Sequence, residues 1–329
     1  MRKILLASVA ALALSSTGCI KQMLTNGQIS ATREASGAFE TIGDYELARG
    51  AAMAGMAQFE GMHKLAPDNE DALFLLMQGW AGYGFAFADD DYEVANDAGN
   101  DALADYNKKR ARMAYDRAIF YGQELMAQKD DGFKNAKRNE ATIKQWLSDN
   151  FDDKDDAPTL FWMGSTWMLR VDLEKDDPAM VADLFIGVAM MEQAVKLDPS
   201  FNHYAGLAAM GAYHSRTAMA EMDQGKAMFE DALAKTQHKT LLIQLNYAHS
   251  YACNKGDRAL YEKLLNEVLN ADDPDPQQRL TNAVAKRRAK RYLSKDHESD
   301  CGFDMSPPAA APASPAPAKA SVPAAPAKK

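Results

Sequence analysis

The chain has 329 residues, 47% hydrophobic and 25% charged, with a formal net charge of −9 and three cysteines. An acidic body of this kind lacks the electrostatic attraction on which nucleic-acid binding rests, so that class of function is set aside. Ala and Met are prominent and strand-like Val/Ile runs are scarce, so an all-α interior with no β-element is expected.

At the N-terminus Arg2 and Lys3 precede the apolar run from Ile4 to Leu14 and then Ser15-Ser16-Thr17-Gly18-Cys19. The run is too short to span a bilayer and reads as an export signal over residues 1–18. Small residues directly before a cysteine resemble a bacterial lipobox, although Ser16 stands where Leu is usual. Cys19 is then the lipidated residue that anchors a periplasmic protein to a membrane. Ile20, where Asp would be the familiar inner-membrane retention signal, favours the outer membrane. In an oxidising compartment the remaining cysteines, Cys253 and Cys301, can pair.

A leading helix is predicted from Met23 to Thr41, then a long one from an Asp44 N-cap to Leu65, with Leu47, Ala51, Ala54, Gly55, Met62 and Leu65 as its apolar stripe. The next helix, Ala72 to Phe87, is crowded with apolar residues and should be buried on more than one side. The stretch from Asp89 to Asp105 is read as a solvated acidic insertion with a short helix. A calcium loop counted from Asp89 would place Val94 at the required Gly and Asn100 at the closing Glu. A second charged insertion, Lys129 to Ala157, holds a helix around Ile143-Trp146-Leu147 and an acidic run from Asp152 to Asp156.

Helix pairs follow at 159–169 with 180–197, at 204–219 with 224–236, and at 240–252 with 257–270. Pro274 and Pro276 end the last of these. A final helix, Gln278 to Tyr292, carries Lys286, Arg287, Arg288, Lys290 and Arg291 and is expected to cap the array. The helical domain is placed at residues 19–295. Residues 296–329, dominated toward their end by Pro, Ala, Ser and Lys, are expected to be an extended tail.

A small residue, an aromatic or Met four positions on, and usually Ala three further recur along these helices. The copies are Gly55/Phe59/Met62, Ala111/Tyr115/Ala118, Gly187/Met191/Ala194 and Gly225/Phe229/Ala232, with Asp257/Tyr261/Leu264 as a divergent fifth. Those spacings place each triplet on one helix face, as in the second helix of a tetratricopeptide-type pair. The fold expected is a tetratricopeptide-like helical repeat superhelix with insertions. The centres at 59, 115, 191, 229 and 261 approach the roughly 34-residue period only toward the end.

Several stretches, in this order, resemble the T component of tripartite ATP-independent periplasmic (TRAP) transporters, the TatT family. They are 72–87, Lys109-Arg110-Ala111-Arg112-Met113-Ala114-Tyr115-Asp116-Arg117-Ala118, Phe161-Trp162-Met163-Gly164-Ser165-Thr166-Trp167, Val181-Ala182-Asp183-Leu184, 192–198, 226–233 and 279–285. The likeness covers nearly all of residues 20–295. Asp223-Gln224-Gly225, where the family often has two glycines, and the Pro/Ala-rich tail depart from it. The resemblance implies a lipid-anchored periplasmic protein whose helices surround an apolar pore or cavity. It further implies self-association as a homotrimer, docking to the transporter's substrate-binding protein, and non-catalytic handover of a small organic ligand, hydrophobic ligands included.

The candidate ligand lining is the set of aromatics concentrated in first helices: Trp80, Tyr83, Phe87, Trp162, Trp167, Tyr204, Tyr213, Tyr247 and Tyr251. Each offers a large apolar body, and Trp and Tyr add one polar contact. Aromatics at helical spacing also serve as ordinary core, and that alternative stands for each. His203, His214, His238 and His249 lack a metal-binding motif, and no Gly-x-Ser-x-Gly, Ser-x-x-Lys or Gly-rich phosphate loop is present, so neither enzyme, metal nor cofactor is expected. The competing reading is an envelope scaffold that binds a protein partner in a groove.

Overall fold

The computed structural model describes residues 22–216 and 221–303, and every regular element among them is helical. Cys19 and residues 304–329 lie outside the described residues. Helix α1 covers 22–35 and passes through a 3-10 turn, Ser36–Thr41, to α2, Tyr45–Leu65. Next come α3 (Glu70–Tyr83), the π-helical turn Gly84–Ala88, α4 (Asp89–Asp97) and α5 (Asp101–Ala127). After α6 (Phe133–Ala136) and α7 (Glu140–Asn150) stand α8 (Ala157–Leu173), α9 (Pro178–Ala182) and α10 (Leu184–Leu197). The last third comprises α11 (Phe201–His214), α12 (Met222–Thr236), α13 (Leu241–Asn246), a second π turn (Tyr247–Ala252), α14 (Cys253–Lys255), α15 (Arg258–Asn270), α16 (Arg279–Tyr292) and α17 (Lys295–Asp300).

Local chemistry sets many of these starts. The side chains of Asp44, Asn69, Asn100, Asn139 and Asp257 each accept from the backbone N–H three residues on, satisfying an orphan donor of the first turn. Asn202, His203 and Tyr204 have positive φ (47°, 55° and 61°), so the right-handed part of α11 begins only after Tyr204.

Three expectations need correction. The buried face of α2 is Ala48, Met56 and Met62, with Ala52 and Phe59 packed beside it, while Leu47 and Leu65 are exposed; Ala51 and Ala54 also face solvent. The real stripe lies about one position on from the predicted one. The acidic segment after Phe87 does hold a short helix, α4, but it is no solvated insertion: the chain stays helical from Glu70 through Asp97, and Asp90 and Ala95 are buried. The second charged insertion likewise joins the core: Ile143 and Leu147 are fully buried and Asp156 pairs with Lys129.

Four of the triplets carry the packing. Tyr115, Met191, Phe229 and Tyr261 are all fully buried. A Cβ on Gly164 would lie 2.9 Å from the Met191 backbone nitrogen and 3.0 Å from the Gly187 oxygen, so α8 and α10 cross backbone to backbone. Gly211 and Gly225 repeat that arrangement between α11 and α12, where a Cβ on Gly225 would lie 2.9 Å from the Gly211 oxygen. Gly55 is different, since nothing lies within 4 Å of its Cβ position. Because backbone atoms cannot step aside as a flexible side chain can, Gly164→Ala should destabilise the fold by about 1–3 kcal/mol. The check is the midpoint of chemical unfolding, and an unchanged midpoint would refute the close crossing.

Neighbouring elements pack in succession: α2 on α3, α3 on α5, α5 on α8, α8 on α10, α10 on α11, α11 on α12 and α15 on α16. The circuit then returns on itself, for α16 packs on α2 and on the 3-10 turn Ser36–Thr41. Thr281 donates to Glu40 at 2.8 Å across that join. The predicted terminal cap is therefore a closing helix. Beyond it, the Cys253–Cys301 disulfide and the burial of Phe303 against Tyr261 carry the packed fold past residue 295.

Candidate functional site

The closure brings the acidic face of α4 onto the basic face of α16. Asp90 is completely buried; its carboxylate pairs with Arg287 and with Arg291 (2.8 Å) and accepts from the Tyr45 hydroxyl at 2.9 Å. Burial alone pushes the Asp90 carboxyl up, but Arg291, Arg287 and Arg288 outweigh it and hold the group below its ordinary range. On the α2 side Asp91 takes both Arg49 (2.7 Å) and Arg110 (3.2 Å). Arg291 also binds Glu93, and Arg288 is enclosed between Glu93 at 3.5 Å, Asp89 at 3.8 Å and the Phe85 carbonyl, to which it donates at 2.9 Å.

Next to this ionic layer lies a cluster of polar groups drawn from distant parts of the chain. Tyr115 of α5 donates to Asp89 at 3.2 Å, and Tyr292 of α16 donates to Glu93 at 3.3 Å. His249, in the second π turn, stacks on Tyr292 with ring centres 4.8 Å apart. Its ring is open to water, yet loss of hydration is the largest influence on it and lowers its pKa. Glu93, Asp172, His297 and Lys175 are the charges that act on it there. Burial likewise raises Asp89, to about 7, against the pull of Arg288. One π turn leads into Asp89 and the other carries His249. Such turns recur at functional sites, where the extra residue re-aims a side chain.

The nine predicted aromatics do not converge on one lining. Trp80, Tyr83 and Phe87 run along one side of α3, with successive ring centres 6.2 and 6.1 Å apart. Trp80 donates to Glu60 at 3.1 Å, Tyr83 accepts from Arg110 at 2.5 Å, and Phe87 is buried against Tyr45. Trp167 is buried in the largest core cluster and donates to the Asp183 carbonyl; Trp162 and Tyr213 pack at the edge of the same cluster. Tyr247 and Tyr251 are buried in the second cluster, with Tyr204 packed against it. The indole N–H of Trp162 is buried without a hydrogen-bond partner.

Of the weighed histidines, His214 joins α11 to α12 through Glu221 (2.6 Å) and Gln224 (3.1 Å). The clustered residues Asp89, Tyr115, Arg288 and Tyr292 were missed as a site. Asp89 to Glu93 and Arg287 to Arg291 are each visible as charge runs, but nothing in the sequence pairs them. The cluster can donate and accept hydrogen bonds and can exchange a proton at Asp89 near neutral pH. Among the described residues no three His, Cys, Asp or Glu side chains are grouped to hold a metal ion.

The fold defines an all-α protein whose last long helix ties back to its first ones. The chain belongs to the TRAP transporter T-component family, TAtT, which matches it over residues 42–299. It is therefore an accessory component of that transporter class. No curated protein matches the chain.

Proposed function

We propose that the protein is a lipid-anchored periplasmic accessory that receives a small organic ligand in its interior and passes it to the transporter's substrate-binding protein, without catalysis. The family match over residues 42–299 carries this reading. The polar cluster of Asp89, His249 and Tyr292 supports it by offering hydrogen-bonding groups at the ring closure, with His249 exposed. Its chemistry favours a ligand with a polar head.

One observation favours the scaffold reading. Tyr106, Met113 and Phe120 are exposed on α5 at helical spacing, a surface suited to a protein partner whether or not a ligand is carried. Native mass spectrometry of the purified body, alone and with a TRAP substrate-binding protein from the same bacterium, separates the two. The carrier reading expects a trimer that retains a small molecule and loses it to the binding protein. A ligand-free monomer that still captures a protein partner would leave the scaffold.

A further inference from the structure

Met23 and Leu24 on the first turns of α1 are 70% and 66% exposed, and Leu65 at the end of α2 is 67% exposed. These residues flank one end of the molecule. Gln22, Thr25 and Asn26 form one side of a cleft of about 560 Å³ whose other side is the stretch from Leu65 to Asp71. Large apolar side chains so open to water, grouped at one end, call for a cover. The chain itself says what supplies it. Only three peptide steps separate Gln22 from Cys19, a reach of at most about 11 Å.

We propose that this end, Met23, Leu24 and Leu65, lies against a lipid bilayer and fixes the orientation of the whole protein. The inference rests on acylation of Cys19. Acyl chains held within that reach bring the three side chains to the headgroup level, where apolar tips gain by leaving water. Asp68 and Glu70, exposed at the cleft, keep the contact shallow, so the body rests on the surface rather than sinking into it.

The orientation has a consequence for the site. From Glu70 the helical path to Asp89 rises about 28 Å, at 1.5 Å per residue. Helix α5 runs back along it, for Gln128 donates to the Asp68 carbonyl at the membrane end while Leu103 stands about 37 Å up the same helix. The ionic layer and the polar cluster beside it thus face the aqueous side, within reach of a soluble partner.

The test uses the full-length chain, acylated in a bacterial host and reconstituted into phosphatidylcholine–phosphatidylethanolamine vesicles. Single Leu24→Cys, Leu65→Cys and Leu103→Cys variants carry an environment-sensitive fluorophore; all three sites are exposed, so folding should be retained. Expected are a blue shift and a loss of iodide quenching at positions 24 and 65, with neither at 103. If mass spectrometry finds Cys19 acylated but all three probes quench alike, the orientation is wrong and the anchor survives. If Cys19 carries no lipid, both ideas fall.

Discussion

Replacing Asp90 with alanine is expected to cost about 3–5 kcal/mol of folding stability, because removing one member of a buried ionic group strands its partners. Arg288 and Arg291 are both buried or nearly so and keep only Glu93, Asp89 and Asp97 as opposing charges. The Tyr45 hydroxyl would keep the Ala86 carbonyl as its partner. Urea unfolding should show the midpoint fall with an unchanged slope. A loss below about 1 kcal/mol would mean the layer is solvated like a surface pair and does not close the fold.

The same layer gives the stability a definite dependence on pH. Asp90 lies below its unfolded pKa of about 3.9, so its contribution is complete above that value and drains away as pH falls through the folded pKa. Asp89 acts in the opposite direction. Its folded pKa is raised to about 7, so the stability linked to its proton is complete below about pH 4 and is lost as pH rises through 7. From these two groups the wild type should gain stability on acidification from neutral pH toward 5 and lose it below about 4. In Asp90→Ala the acid loss should shrink while the gain near neutrality persists.

Cys253→Ser with Cys301→Ser should be the other large effect, about 2–4 kcal/mol, since the bond closes a sequence separation of 48 residues and removes that freedom from the unfolded chain. The closed loop contains α15 and α16, the helix that ties the two ends of the circuit. Its release should also loosen α17, where Glu298 accepts from Arg258 at 3.0 Å and His297 pairs with Asp97 at 3.1 Å. Thermal unfolding with and without a thiol reductant gives the reading. An identical melting temperature in both would show that the helix packing alone holds the C-terminal segment.

How much was legible beforehand follows from how far apart the interacting residues stand. Helix starts were readable because a cap acts over three residues, as Asp44 does on Leu47. The triplets were readable because one helix face repeats at fixed spacing, and Ala111, Tyr115 and Ala118 are indeed wholly buried. The predicted face of α2 slipped because Ala, Gly and Met occur all round that helix, leaving little contrast between its sides. The acidic run after Phe87 was misread because carboxylates in a row look solvated until their partners are known. Those partners stand near residue 290, about two hundred positions away in the chain.

The amino-acid sequence thus determined the helical class, the family and the packing residues of the helix pairs after α2, since all of these rest on periodicity and short-range chemistry. The return of α16 onto α4 was decided only in three dimensions, and with it the burial of Asp90, the raised pKa of Asp89 and the stacking of His249 on Tyr292. Coulombic pairing and desolvation depend on distance through space, which no one-dimensional pattern encodes.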